Sequence, residues 1–175
     1  NEQKNWIKSL KNTNGVVDAT QFIISPSKEF IELNQKRIET NAILSTNTPQ
    51  AFVEIFDWNI IEGSLQNFHN GISKVLLTES TAKQLISNNQ PLSDLINKPL
   101  KILGQNYQIA GIVEDIPQNS HFDFSIALNT PKIDYWGSRI YIESEPNVSL
   151  PNLTQQLNQN IANYSPRLAK DPLYK

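Results

Sequence analysis

The succession of elements in this 175-residue chain predicts an α+β domain with mixed sheets and helices packed on them. Three observations carry that prediction. A helix–strand unit opens the chain and a strand–helix unit closes it. In the centre, the apolar run Val75-Leu76-Leu77 leads straight into a helix. Further on, Phe122, Phe124, Ile126 and Leu128 alternate with Asp123, Ser125 and Ala127, the period of a half-buried strand.

Glu2 to Asn12 sets Trp6, Ile7 and Leu10 on one helical face, and Asn14-Gly15 stops it. Val16 to Ser25 is dense in β-branched residues and predicts a strand, broken by Pro26-Ser27-Lys28. Phe30 to Leu33 fits either element. Arg37 to Thr46 alternates, with Ile38, Thr40, Ala42 and Leu44 on one side. Thr48 is placed to cap a helix with Pro49 at its first position, and Phe52, Ile55 and Phe56 form its apolar stripe.

Trp58 to Ile61 predicts a strand turned by Glu62-Gly63-Ser64, followed by loop to Gly71. After Val75–Leu77, Thr78 is placed as a cap and Glu79 as a first-turn acid, with Ala82, Leu85 and Ile86 facing the core. Pro91 to Lys98 is irregular. Lys98–Leu103 and Tyr107–Val113 predict a hairpin around Gly104-Gln105-Asn106. Arg139 to Glu143 is a further strand. A last helix from Pro151 aligns Leu153, Leu157, Ile161 and Tyr164.

Composition removes several function classes. A formal net charge of −2 offers nothing to a nucleic acid or an anionic membrane. With no Cys, no disulfide, thiolate nucleophile or Cys-ligated zinc is available, and no stretch approaches the roughly 18 apolar residues of a membrane span. The chain has no Met even at position 1, which predicts either a processed product or an excised piece, a soluble piece cut from a larger protein being the simplest reading. No GxSxG or GxxxxGK[ST] occurs, so ATP hydrolysis would belong to another chain.

His121 lies near Glu114, Asp115 and Asp123, and the reading splits two ways. The cluster is either a turn in which Asp115 accepts backbone N–H groups and Pro117 fixes φ, or an acid/base or metal site. A metal would need a second His or converging carboxylates, so the turn is favoured. His69 sits in a polar loop and is expected to be exposed. Trp6 and Trp58 belong to apolar faces and are expected in the core. Trp136, in Asp134-Tyr135-Trp136-Gly137, is the candidate partner-surface anchor.

Three segments together resemble the periplasmic core domain of MacB/FtsX-type ABC transporter permeases. The first is Phe52-Val53-Glu54-Ile55-Phe56 with Gly63; the second is Glu79-Ser80-Thr81-Ala82-Lys83-Gln84-Leu85. The third runs from Ile109 through Gly111 to Asp115-Ile116-Pro117-Gln118-Asn119-Ser120-His121. Arg139 to Ile161 is similar to the family's closing strand and helix. The chain departs at Leu85-Ile86-Ser87-Asn88 and Asn97-Lys98, where the family carries glycines, and the Asp-x-Pro-x-x-Ser-His form is that of divergent members.

The resemblance implies two lobes, a porter-like one over 1–46 and 133–175 and a mixed-sheet one inserted over 47–132. It implies a non-enzymatic, periplasmic module of a bacterial inner-membrane permease, tethered to the membrane and free of any cofactor. Its implied partners are an ABC-type ATPase, a second permease copy, and a periplasmic adaptor or cargo; nucleic acid is not among them. Phe52, Phe56, Gly63, Glu79, Ser80, Ala82, Leu85, Gly111, Asp115, Pro117, Ser120 and His121 would be structural signature residues. The rival readings are a stand-alone extracytoplasmic ligand- or peptide-binding sensor around Trp136, and a hydrolase or metal enzyme on His121, Asp115 and Asp123.

Overall fold

A computed structural model describes residues 2–25, 28–87, 89–131, 133 and 137–164, with backbone alone at 2–5 and 164. Among them are ten strands and five helices in an α+β arrangement. By packing the chain divides into two compact units, 1–20 with 140–175, and 21–139.

In the smaller unit α1 (Glu2–Lys11) and α5 (Leu150–Tyr164) pack on the start of β1 (Val16–Ser25) and on β10 (Arg139–Ser144). Trp6, Ile7 and Leu10 are buried as their spacing predicts, against Leu157 and Ile161. Asn160 joins the helices by polar contacts. Ser9 Oγ donates to Asn160 Oδ1 at 2.7 Å, and Asn160 Nδ2 donates to Thr13 Oγ1 at 2.6 Å.

The larger unit is built on a mixed sheet. From the end of β1 the order runs through β4 (Ile43–Thr46), β9 (Ile126–Asn129), β6 (Lys74–Thr78) and β8 (Gln105–Val113) to β7 (Pro99–Ile102), β2 (Glu29–Leu33) and β3 (Lys36–Thr40). β5 (Ile60–Gly63) pairs with the far half of β8. α4 (Glu79–Leu85) supplies Ala82 and Leu85 to a core that includes Leu77, Leu100, Ile109 and Ile112. α2 (Pro49–Phe56) and α3 (Leu65–His69) complete the unit. The expected lobe boundaries at 46/47 and 132/133 fall elsewhere than this division, because β2 pairs with β7 and β4 with β9.

Several local expectations are corrected. The single strand expected over Arg37–Thr46 is two, broken at Asn41-Ala42, and β4 is buried at both Ile43 and Leu44 because it lies between β1 and β9. The polar stretch before Gly71 contains α3, whose N-cap Ser64 accepts from the Asn67 N–H and whose Phe68 is fully buried. His69 ends that helix half-buried rather than exposed. The hairpin turns at Leu103-Gly104, both at positive φ, rather than at Gly104–Asn106. Regular pairing in β9 starts only at Ile126, and all four of its residues are buried because β4 and β6 flank it.

Candidate functional site: the signature residues around strand β8

β8 brings the signature segments together. One edge pairs parallel with β6, and the other takes β7 and then β5. Against β6 the register jumps from Val75↔Ile109 to Leu76↔Gly111, so Ala110 is a bulged residue. Its freed carbonyl accepts the N–H of Ser64 at 3.0 Å, fixing the start of α3. Gly63 and Gly111 then stand directly opposite. A Cβ on Gly63 would lie 2.8 Å from the Gly111 Cα, and one on Gly111 would lie 3.2 Å from the Glu62 carbonyl. Gly63 needs glycine because backbone meets backbone there, whereas a side chain at Gly111 would press chiefly on the end of Ile60, 2.9 Å away.

The strand's exit caps the neighbouring helix. Asp115 Oδ1 accepts the backbone N–H of Ser80 at 2.9 Å, one of the first-turn donors of α4 that have no partner within the helix. Glu79 ion-pairs with Lys83 one turn on, at 2.6 Å. Thr78 holds the cap position without a side-chain bond to the helix backbone; its hydroxyl meets that of Thr81 at 2.9 Å. Thr48, expected to cap α2, instead accepts the Gln21 N–H at 2.9 Å, which ties α2 to β1. Asp115→Ala is expected to lower stability by about 1 kcal/mol. Asp115→Asn retains an acceptor and is expected to recover most of the loss, as read from urea midpoints.

Beyond the cap, Pro117 accepts the Ser120 N–H at 2.9 Å in a turn that delivers Phe122 and Phe124 to an aromatic box. Phe52, Phe56, Phe22 and Trp58 are its other members. Phe56 and Phe122 are 5.1 Å apart, Phe52 and Trp58 5.4 Å, and Phe52 and Phe22 5.7 Å, with edge-on or tilted rings. His121 is exposed at the rim, its ring edge-on to Phe122 at 4.8 Å. Trp58 and Phe22 carry no signature of their own. The phenylalanine spacing in 122–124 was the sequence signal for this box.

The chemistry open to these groups is narrow. Asp115 is engaged by Ser80, and Glu114 accepts from Asn59 Nδ2 at 2.7 Å. Among the described residues no group of three His, Asp or Glu side chains is placed to hold a metal ion. Burial pushes the Tyr107 phenol above its ordinary value of 10.0, so it stays protonated at neutral pH. A shallow hollow of about 320 Å³ lies apart from the signature residues, between Phe30, Arg37, Lys101 and Leu103. Trp136 falls outside the described residues.

A bulged strand, a capped helix and an aromatic box, each built from segments far apart in sequence, define a module whose marked residues hold a shape. Residues 5–160 match the sequence profile of the MacB-like periplasmic core domain, and the chain belongs to that family. The family is one of transporter permease domains. Its fold is also that of a domain of a protein named as a permease from Porphyromonas gingivalis, at TM-score 0.74 and 21% identity, over 91% of this chain and 69% of that one. The extracellular domain of the noncanonic ABC-type transporter YknZ from Gram-positive bacteria superposes at 0.68, with 11% identity over 91% and 82%. The periplasmic region of MacB from Actinobacillus actinomycetemcomitans gives 0.67, with 12% identity over 91% and 72%. At these identities the likeness is one of fold. No curated protein matches the chain. No helix among the described residues is long and apolar enough to cross a membrane.

Proposed function

We propose that this chain is the extracytoplasmic module of an ABC-type permease. A separate cytoplasmic subunit hydrolyses ATP, and the module converts the resulting movement of the membrane helices into export, release or regulation of a periplasmic cargo. It needs no cofactor of its own. The family match over 5–160 carries the reading.

The smaller unit supports it physically. A body moved by the membrane helices must transmit displacement without its first and last helices sliding apart. α1 and α5 are held by an apolar seam of Trp6, Ile7, Leu10, Leu157 and Ile161, and by the Asn160 contacts to Ser9 and Thr13. Packed interfaces of this kind switch between arrangements rather than deform smoothly.

The test is made in the intact permease with its ATPase subunit. Replacing 5–160 with a flexible linker is expected to abolish transport or release of cargo while the subunit still hydrolyses ATP. Undiminished transport would overturn the reading.

A further inference from the structure

We propose that the outer edge of β3 is a pairing surface for a second copy of this chain, joined antiparallel about a two-fold axis at Ile38. β3 is the last strand in the order, and among the described residues no strand pairs with its outer edge. Natural sheet edges are blunted by proline, bulges and charged side chains, lysine above all, and such charges leave an edge open only to a strand that brings the opposite sign. Lys36-Arg37-Ile38-Glu39-Thr40 has no proline, alternates in sign at Arg37 and Glu39, and pairs with β2 in an unbroken register.

Hairpin geometry says which backbone groups are on offer. The loop between β2 and β3 is two residues, Asn34 and Gln35, at φ 47° and 72°. The residues flanking such a loop, Leu33 and Lys36, exchange both backbone hydrogen bonds, and the pattern then alternates. Lys36, Ile38 and Thr40 therefore turn their N–H and C=O groups toward β2. Arg37 and Glu39 turn theirs outward.

An axis at Ile38 uses those groups. It sets Arg37 of each copy opposite Glu39 of the other, so the outward groups form hydrogen-bonded pairs on both sides of the axis. The side chains of the same two residues then meet with opposite charge. Within one copy a ladder crosses the outer sheet face, with Lys101 3.8 Å from Glu32 and Glu32 opposite Arg37. Glu39 of the second copy continues its alternation. An axis at Arg37 or at Glu39 would instead oppose like charges.

In a single copy these groups have only surface partners. Glu39 lies 3.4 Å from Lys28 in an exposed pair, and the Arg37 guanidinium lies 4.0 Å over the Phe30 ring. Phe30 is 50% exposed and Leu103 61%, and both line the hollow that borders this edge. Five-residue strands bury far less than a standard interface, so the pairing is weak and is best read by trapping it.

The absence of cysteine makes the trap clean. Residues facing each other in a non-hydrogen-bonded antiparallel pair have Cα atoms about 4.5 Å apart, within disulfide range. Mild oxidation of Ile38→Cys in the concentrated 175-residue chain is expected to give a covalent dimer as the main product. Lys36→Cys, exposed on the same strand, places its Cα atoms about 14 Å apart across the axis and is expected to stay monomeric. Equal yields from the two variants, or no dimer from Ile38→Cys, overturn the proposal. Adding Arg37→Glu to Ile38→Cys is expected to slow cross-linking about tenfold, since two like-charge contacts appear at once. Glu39→Arg on top of it is expected to restore the rate. A rate indifferent to these charges overturns the register.

Discussion

Gly63→Ala is expected to lower the stability of the domain by about 3–4 kcal/mol, through two separable costs. The backbone at Gly63 has φ +83°, where a Cβ costs about 1–2 kcal/mol. That Cβ would also land on the Ala110 carbonyl, with the Gly111 Cα at 2.8 Å and Ile96 Cδ1 at 2.9 Å. The isoleucine end can rotate away; the bulged backbone of β8 cannot. It is held by the Ser64 bond on one side and by β6 on the other. Overpacking of this kind adds about 1–3 kcal/mol.

Gly104→Ala isolates the first cost. Its φ is +78°, and nothing lies within 4 Å of an added Cβ. Urea unfolding of both variants should therefore show Gly104→Ala losing about 1–2 kcal/mol and Gly63→Ala clearly more. Equal losses would mean that the close approach of β5 to β8 contributes nothing. Because domains of this size are stable by only about 5–15 kcal/mol, the loss at Gly63 is a large share of the total, and the Gly63 variant is expected to melt well below the unaltered chain.

What was legible in the sequence was what is local. The ten residues of β1 were readable because β-branched density runs unbroken between Gly15 and Pro26. The apolar face of α1 was readable from three residues at helical spacing. Asn41-Ala42 was not readable as a break, since Ile38, Thr40, Ala42 and Leu44 keep the period of one strand across it. Only pairing shows that the chain leaves β2 for the side of β1 there.

α3 was hidden by its length. Five residues give barely one turn of pattern, and the usable signals were Ser64 as a cap and the single buried Phe68. The hairpin turn was misplaced because leucine is a poor residue at positive φ, and Leu103 takes that conformation at +50°.

The site was legible as segments and illegible as contacts. Asp115 and Ser80 are 35 positions apart, and nothing in either segment names the other as its partner. The fold supplies the link, because β6 and β8 run parallel and side by side. The end of β8 thus reaches the start of the helix that follows β6. Likewise, Phe52 and Phe56 have helical spacing and Phe122 and Phe124 strand spacing. That the two pairs share one cluster follows from α2 and the 122–124 segment packing on the same end of the sheet.

Phe52→Ala is expected to be the most damaging of the single truncations in that cluster, at about 3–5 kcal/mol. Phe52 is fully buried, and its ring centre lies 5.7 Å from Phe22, 5.5 Å from Phe56, 5.4 Å from Trp58 and 6.1 Å from Phe124. The neighbouring rings come from separate parts of the chain, β1, α2 and its exit, and the 122–124 segment, so no single element can shift to fill the space. Phe52→Leu keeps much of the volume but loses the edge-on ring contacts, so about 1–2 kcal/mol is expected. Phe30→Ala, on a ring that is half exposed, should stay within about 1 kcal/mol of the unaltered chain. Near-ultraviolet circular dichroism gives the local readout, since Trp58 loses an asymmetric aromatic neighbour in the first two variants and none in the third. A Phe52→Ala chain as stable as Phe30→Ala, with an unchanged aromatic signal, would show that the box does not hold α2 to the sheet. The helical spacing of Phe52 and Phe56 would then have to be explained by something other than packing.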